Sequence, residues 1–291
     1  MPLAPTRRAH SATVAALRSA GCVFAEEEAA LLLAAAGTAD ELVAMTERRA
    51  AGLPLEHILG WAEFHGHRTA VDPGVFVPRR RSEFLVERAL ALAPPGPLVL
   101  DLCCGTGALG AAVHRALGAG ELHAADIDPA AVRCARRNLA PLGGTVHQGD
   151  LYSALPGALR GRVDVLLANA PYVPTAELGL LPSEARDHEP PAALDGGPDG
   201  LDVQRRVAAG APHWLSPGGV LLVETGERQA PRTARVLARH GLLVETSVCG
   251  ERGAAVVSGT LPAHGGPGGA SSATGASAPL RPGTPGGKVR R

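Results

Sequence analysis

From residue 98 onward, short apolar runs alternate with amphipathic stretches, and each run closes on an acidic or glycine-rich turn. That is the pattern of a parallel sheet with crossover helices. It predicts strands at 98–102, 121–126, 145–147, 163–168 and 219–224, with helices at 108–117, 129–139, 201–215 and 228–240. Two further apolar runs, 242–248 and 254–259, leave no room for a helix between them and predict an antiparallel hairpin. The expected fold is therefore α/β and Rossmann-like, with a mixed seven-stranded sheet ending in a hairpin.

Ahead of this region the period changes. Val14, Leu17, Leu31, Leu32, Leu42 and Val43 recur at helical spacing, so residues 1–60 predict a small helical domain. Thr38 with Glu41 three residues on has the form of a capping box, and Gly52 with Pro54 ends that helix. Residues 61–78, turning at Gly66 and Pro73-Gly74, predict a hairpin linker. Ser82 is expected to cap a helix carrying Phe84, Leu85, Val86 and Leu90, and Arg79 to Arg81 read as solvated arginines at its entrance. The sheet region then runs over 79–261. Residues 262–291, rich in Gly and Pro and poor in bulky apolar side chains, are expected to be a disordered tail.

Composition narrows the function. Lys plus Arg and Asp plus Glu are both 28, so no surplus of positive charge is available for sequence-blind binding to a nucleic-acid backbone. Five cysteines without a C-x-x-C pair, and histidines without ligand spacing beyond His65/His67, predict neither a disulfide framework nor a metal site. A reducing cytoplasm fits, and no apolar run is long enough for a transmembrane helix.

Three strand ends carry candidate chemistry. Residues 98–110 set a buried strand before a small-residue turn and a helix N-terminus, where Gly105 and Gly107 permit close backbone approach by an anionic group. The spacing D-x-x-x-G-x-G, with Asp101 leading, suits a cofactor with a cationic amino group better than a pyrophosphate. Asp126, about 20 residues further on, can accept both hydroxyls of a ribose, and Asp150 can accept an adenine amino group. Taken singly, both are also ordinary turn residues. Asn169-Ala170-Pro171-Tyr172 follows an apolar strand. The Asn169 side-chain oxygen and the Ala170 carbonyl can accept both hydrogens of a planar NH₂ group, although Asn-x-Pro also suits a plain turn.

These segments together resemble the HemK/PrmC group of protein-(glutamine-N5) methyltransferases. The resemblance runs from about Pro54 to Gly259 and includes Pro54 to Gly60, Val77 to Glu83 (the family's Pro-Arg-x-x-Thr-Glu), Asp101 to Gly107 and Ala125 to Asp128. It continues through Gly149-Asp150, Asn169 to Tyr172, Glu189 to Leu201 and Glu224 to Gln229. Cys103 and Cys104 stand where the family has its first loop glycine and that residue's neighbour, and Ala170 replaces the first proline of Asn-Pro-Pro-Tyr. The resemblance implies a class I S-adenosylmethionine-dependent methyltransferase domain behind a helical substrate-docking domain. It implies cofactor contacts at Asp101, Gly105, Thr106 and Gly107 (methionine end), Asp126 (ribose) and Asp150 (adenine), with Cys103, Ile127, Leu151 and Asn169 as further cofactor contacts. It also implies that Asn169, Ala170, Pro171 and Tyr172 hold a glutamine amide, the substrate being a class I peptide release factor with its Gly-Gly-Gln segment. Two other readings remain: an adenine-N6 methyltransferase acting on nucleic acid, which shares the NH₂ geometry, and a non-catalytic protein that binds S-adenosylmethionine.

Overall fold

The computed structural model describes residues 7–118 and 120–263; the tail expected beyond 263 lies outside the described residues. Three helices, α1 (Arg7–Ser19), α2 (Ala25–Ala35) and α3 (Ala39–Ala50), bury Leu17, Leu32 and Leu42 in a core of their own. Half of the expected capping box forms, with Thr38 Oγ1 accepting the Glu41 amide at 3.1 Å, while the Glu41 side chain turns to the residue before the cap. The Glu41 carboxylate reaches back to the Gly37 amide at 2.7 Å. A single turn, α4 (Leu55–Leu59), leads into the antiparallel hairpin β1 (Trp61–Phe64) and β2 (His67–Ala70).

The remaining elements alternate as the apolar pattern predicts. They are α5 (Glu83–Leu92), β3 (Leu98–Leu102), α6 (Ala108–Leu117), β4 (Glu121–Asp126), α7 (Pro129–Leu139), β5 (Thr145–Gln148) and β6 (Val163–Ala168). After β6 come α8 (Ser183–His188), α9 (Asp202–Gly210), β7 (Leu215–Thr225), α10 (Ala230–Arg239), β8 (Leu243–Cys249) and β9 (Ala254–Thr260). The sheet order is β5-β4-β3-β6-β7-β9-β8. All neighbours pair in parallel except β7–β9 and β9–β8, so the expected terminal hairpin is present. Helices cover both faces, and each face has its own apolar cluster.

Two boundaries differ from expectation by more than two residues. The helix expected over 201–215 stops at Gly210 and continues only as a short 3-10 turn, because Pro212 cannot donate to the helical ladder. β7 begins at Leu215, four residues earlier than expected, and its register against β6 shifts between Val163 and Val165. That irregularity absorbs the Pro217-Gly218-Gly219 run that reads as a turn in the sequence.

Candidate functional site

The chain leaves β3 for β4 on one side and later places β6 on the other, so the carboxyl ends of β3 and β6 splay apart at the switch of strand order. A cavity of about 300 Å³ occupies that crevice. Its walls bring together Cys103, Gly105, Thr106, Asp126, Ile127, Asp150, Leu151, Asn169, Ala170, Pro171 and Tyr172, which are scattered over 70 positions of sequence.

Asp101 and Gly107, expected at the same place, do not reach the cavity wall. β3 is covered on both faces, and Asp101 is fully buried behind the loop, where its Oδ2 accepts the Gly110 amide at 2.9 Å in the first turn of α6. Its Oδ1 is buried without a hydrogen-bond partner. Burial pushes the Asp101 carboxyl up to about 7 against the pull of the Gly110 amide, and nearby Asp126 adds to the rise.

The turn after β3 is left-handed at Cys103 (φ 56°), as it is at Gly105 (φ 55°). At a non-glycine residue this conformation costs about 1–2 kcal/mol, and it bends the backbone so that the Gly105 amide donates to Asp126 Oδ2 at 2.8 Å. Asp126 Oδ1 accepts the Asp128 amide at 2.9 Å. Each oxygen keeps a lone pair for a further donor. Burial raises the Asp126 carboxyl, opposed by the amides of Asp128, Gly105 and Ile127. Burial likewise raises the Cys103 thiol, reinforced by Asp126 and Asp101, so a neutral small side chain lines the cavity there. Beside these groups Ile127 holds an apolar side chain 58% exposed, a surface suited to covering the face of a flat ring. Asp150 is paired with Arg206 at 2.6 Å, and Arg206 lines the cavity as well.

The loop after β6 is held from behind by three separate segments. Asn169 Nδ2 donates to Ser82 Oγ at 3.3 Å. The Tyr172 hydroxyl accepts from Arg81 Nη2 at 2.6 Å and donates to Glu224 Oε1 at 3.3 Å. Gln229 Nε2 donates to the Tyr172 carbonyl at 2.9 Å and to the Asp199 carbonyl at 3.3 Å. Gly200 has φ 75°, and a Cβ there would lie 2.3 Å from the Tyr172 carbonyl oxygen, so only glycine lets these strands of loop meet. Burial raises both the Glu224 carboxyl, against Ser82 and Arg81, and the Tyr172 hydroxyl, which Glu224 lifts further.

Sequence reasoning missed several wall residues. Phe64, Phe76 and Pro78 come from the span read as a linker, and Arg81, Ser82, Leu194 and Arg206 join them. The arginines expected to be solvated are partly committed inward. Arg79 Nη2 binds both oxygens of buried Glu189 at 2.6 Å, and the Glu189 Oε1 also accepts the Val77 amide at 3.1 Å. Ser82 does not cap α5, since it precedes the helix in helical conformation (φ −70°, ψ −10°) with no capping bond. The only signal for Pro78, Arg81, Ser82 and Leu194 was the two family-like segments 77–83 and 189–201, which had no assigned chemistry, and Phe64, Phe76 and Arg206 lie outside both.

A family profile described as "Methyltransferase small domain" matches residues 69–180. The chain is 40% identical over 199 residues to "Release factor glutamine methyltransferase" of Geobacter sulfurreducens, spanning 68% of this chain and 69% of that protein. It is also 40% identical over 193 residues to "Ribosomal protein uL3 glutamine methyltransferase" of Bordetella pertussis, spanning 64% of this chain and 62% of that protein. Among solved structures, a methyltransferase from Pyrococcus furiosus superposes with a TM-score of 0.53 at 14% identity, covering 68% of this chain and 90% of that one. At that identity the likeness speaks for the fold.

Proposed function

This chain belongs to the release factor glutamine methyltransferase family, and from that premise we propose that it N5-methylates the side-chain amide of a glutamine in a peptide chain release factor. The observation that carries the reading is the meeting, in one cavity, of the Asn169–Tyr172 loop with the carboxylate of Asp126. One wall suits a planar NH₂ group and the other suits a nucleoside. Residues 1–60 are read as the docking module for the protein substrate, and the reaction is assigned to the cytoplasm. Among the described residues no helix is long and apolar enough to cross a membrane.

The cofactor is S-adenosylmethionine, which supplies a methyl group on a positively charged sulfur. The residues fit it. The free lone pairs of Asp126 suit the ribose hydroxyls, Ile127 the adenine face, and Asp150, steadied by Arg206, the adenine amino group. The turn at Cys103, Gly105 and Thr106 lines the rest of the cavity and would take the methionine end.

An amide nitrogen is a poor nucleophile because its lone pair is delocalised into the carbonyl. The task of Asn169 Oδ1 and the Ala170 carbonyl is to accept its two hydrogens and hold the nitrogen in line, where positioning supplies most of the acceleration. Pro171 stiffens the loop, and half-buried Tyr172 closes its far side. Once methylated, the nitrogen carries a strongly acidic proton that water removes, so no side chain is assigned as a general base.

The test is incubation of the purified protein with labelled S-adenosylmethionine and, separately, a release factor containing Gly-Gly-Gln, ribosomal protein uL3 and an adenine-containing oligonucleotide, followed by mass spectrometry. Label on the release-factor glutamine is expected. Label on uL3 alone would move the substrate, label on adenine would replace the reaction, and cofactor binding with no transfer would make the protein a non-catalytic binder.

A further inference from the structure

Segments 77–83 and 189–201 stand far apart in the chain, and a buried ion pair joins them. Arg79 Nη2 donates to both Oε1 and Oε2 of Glu189 at 2.6 Å, and Oε1 also accepts the Val77 amide at 3.1 Å. Glu189 is only 4% exposed. Neither Arg79 nor Glu189 reaches the cavity, but their neighbours do: Phe76 and Pro78 on one segment, Pro190 and Ala192 to Leu194 on the other. The Arg79 guanidinium also lies over the Phe76 ring, 4.9 Å from its centroid.

We propose that the Arg79–Glu189 pair is a clasp that fixes these two cavity walls to each other and holds the second against the Asn169–Tyr172 loop, making Arg79 and Glu189 positioning residues for the protein substrate. The inference rests on the reading of that loop as the holder of the substrate amide.

The clasp matters because the strap that carries Glu189 has little else to hold it. Among the described residues, positions 185–193 make hydrogen bonds to a distant part of the chain only through Glu189, and the others stay inside α8 and the turn over Pro191–Ala193. The segment on the other side is firmly seated. Val75 and Val77 are buried, and the His57 ring Nε2 lies 2.9 Å from the Val75 carbonyl oxygen. The clasp therefore ties a loosely held strap to a fixed base.

Past the clasp, the strap runs directly into the loop that follows β6. The Val173 amide donates to the Leu194 carbonyl at 3.0 Å, the Gly196 amide donates to the Val173 carbonyl at 2.8 Å, and Val173 and Asp195 form a parallel bridge. Val173 is the next residue after Tyr172. A shift of the strap is thus passed to the loop through two main-chain bonds, and misplacement of a reacting group by about 1 Å can cost about a hundredfold in rate.

Arg79→Met strands the Glu189 carboxylate in the interior, so it should lower the melting temperature together with the rate. Adding Glu189→Gln removes the stranded charge, while an amide oxygen still accepts from Val77. The double variant should therefore regain most of the lost melting temperature, yet its kcat/KM for the release factor should stay about tenfold or more below the parent, because the walls remain untied. Arg79→Lys should stay within about fivefold of the parent, since a single nitrogen serves both carboxylate oxygens and an ammonium can take its place. The calorimetric Kd for S-adenosylmethionine should stay within about twofold in all three variants, since Asp126 and Asp150 lie at the ends of other strands.

A double variant whose rate recovers with its melting temperature would make the pair a stability element alone and overturn the clasp. So would an Arg79→Lys rate as low as that of Arg79→Met, or a cofactor Kd that rises as far as kcat/KM falls. If the parent protein methylates neither release factor nor uL3, the functional reading fails, and the clasp is decided by hydrogen exchange on the parent and the double variant. The Val173 and Gly196 amides should exchange about tenfold or more faster in the double variant, with those of β4 unchanged. Equal exchange at Val173 and Gly196 would overturn it.

Discussion

Gln229 Nε2 donates to the main-chain carbonyl of Tyr172 at 2.9 Å, joining the start of α10 to the end of the Asn169–Tyr172 loop. The same amide group reaches the Asp199 carbonyl at 3.3 Å, so one side chain ties together two loops that close the cavity. Gln229 touches neither wall of the cavity itself. Gln229→Ala should therefore slow methyl transfer about fivefold through loss of loop order, while the cofactor Kd stays within about twofold, because one net hydrogen bond is worth about 1 kcal/mol. Parallel rate and calorimetric measurements check it, and equal losses in both would show that the loops support the cofactor side as well.

Asp126 combines two duties, holding the Gly105 and Asp128 amides and presenting its remaining lone pairs to the cavity. Asp126→Ala should raise the S-adenosylmethionine Kd about tenfold to a hundredfold, from roughly 1.5–3 kcal/mol for hydrogen bonds to a charged acceptor. Asp126→Asn should lose less, since its oxygen still accepts. An unchanged calorimetric affinity in Asp126→Ala would remove this residue from the cofactor site.

What was legible in the chain was what strand ends advertise. β3, β4 and β6 are apolar runs that stop at Asp, Gly or Asn, and a parallel sheet carries such stops to one edge, so Asp126 and Asn169 could be found without coordinates. Ser82 was misread because a serine before an apolar helix is the commonest cap signal, whereas a 3-10 turn over residues 80–82 already puts it in helical conformation. Arg206 was invisible because its partner Asp150 lies 56 positions away, and Arg81 because Glu224 is brought to it only by the sheet. The segment between β6 and α9 holds no element longer than six residues, too short for any period to show, yet it supplies Glu189 and Leu194 to the site and its support.

Asp101 sets a pH dependence of stability. Its carboxyl sits near 7 in the fold against 3.8 for the free group, so between about pH 4 and 7 the folded protein holds a proton that the unfolded chain has lost. Stability from this residue is therefore present at low pH and falls as pH rises through that window. In the cofactor-free protein, Asp101→Asn should abolish this part of the slope, so that the melting temperature of the variant relative to the parent climbs steadily from pH 4 to pH 7. A constant difference across the window would mean that Asp101 is ionised throughout.

Cys103 lines the cavity but is held neutral by burial and by the carboxylates of Asp126 and Asp101. Since the thiolate is the reactive form, iodoacetamide at pH 8 should modify Cys103 at least about tenfold more slowly than a cysteine in a short peptide, with the rate still rising above pH 9. Peptide mapping of a timed reaction reads this directly. Rapid alkylation at Cys103 would contradict the electrostatics of the turn.

Arg49 is the point on which the N-terminal helices depend. It is 6% exposed, forks onto Glu28 with Nε and Nη2 at 2.6 and 3.0 Å, and uses Nη1 to reach Glu184 in α8 at 2.7 Å. Burial alone would lower its pKa, and the bonds to Glu28 and Glu184 more than reverse that, so the guanidinium stays charged. Removing one side of such a pair costs more than the pair contributes, because the other charge stays buried and uncompensated. Arg49→Met should therefore destabilise by about 3–5 kcal/mol. It should also loosen the contact between α3 and the segment that closes the cavity. Adding Glu28→Gln to Arg49→Met removes the stranded charge and should recover a good part of the loss, a gain that two unrelated destabilising changes would not give. Urea unfolding of the parent, the single and the double variant measures it, and a double variant less stable than the single would show that Glu28 is held by something other than Arg49.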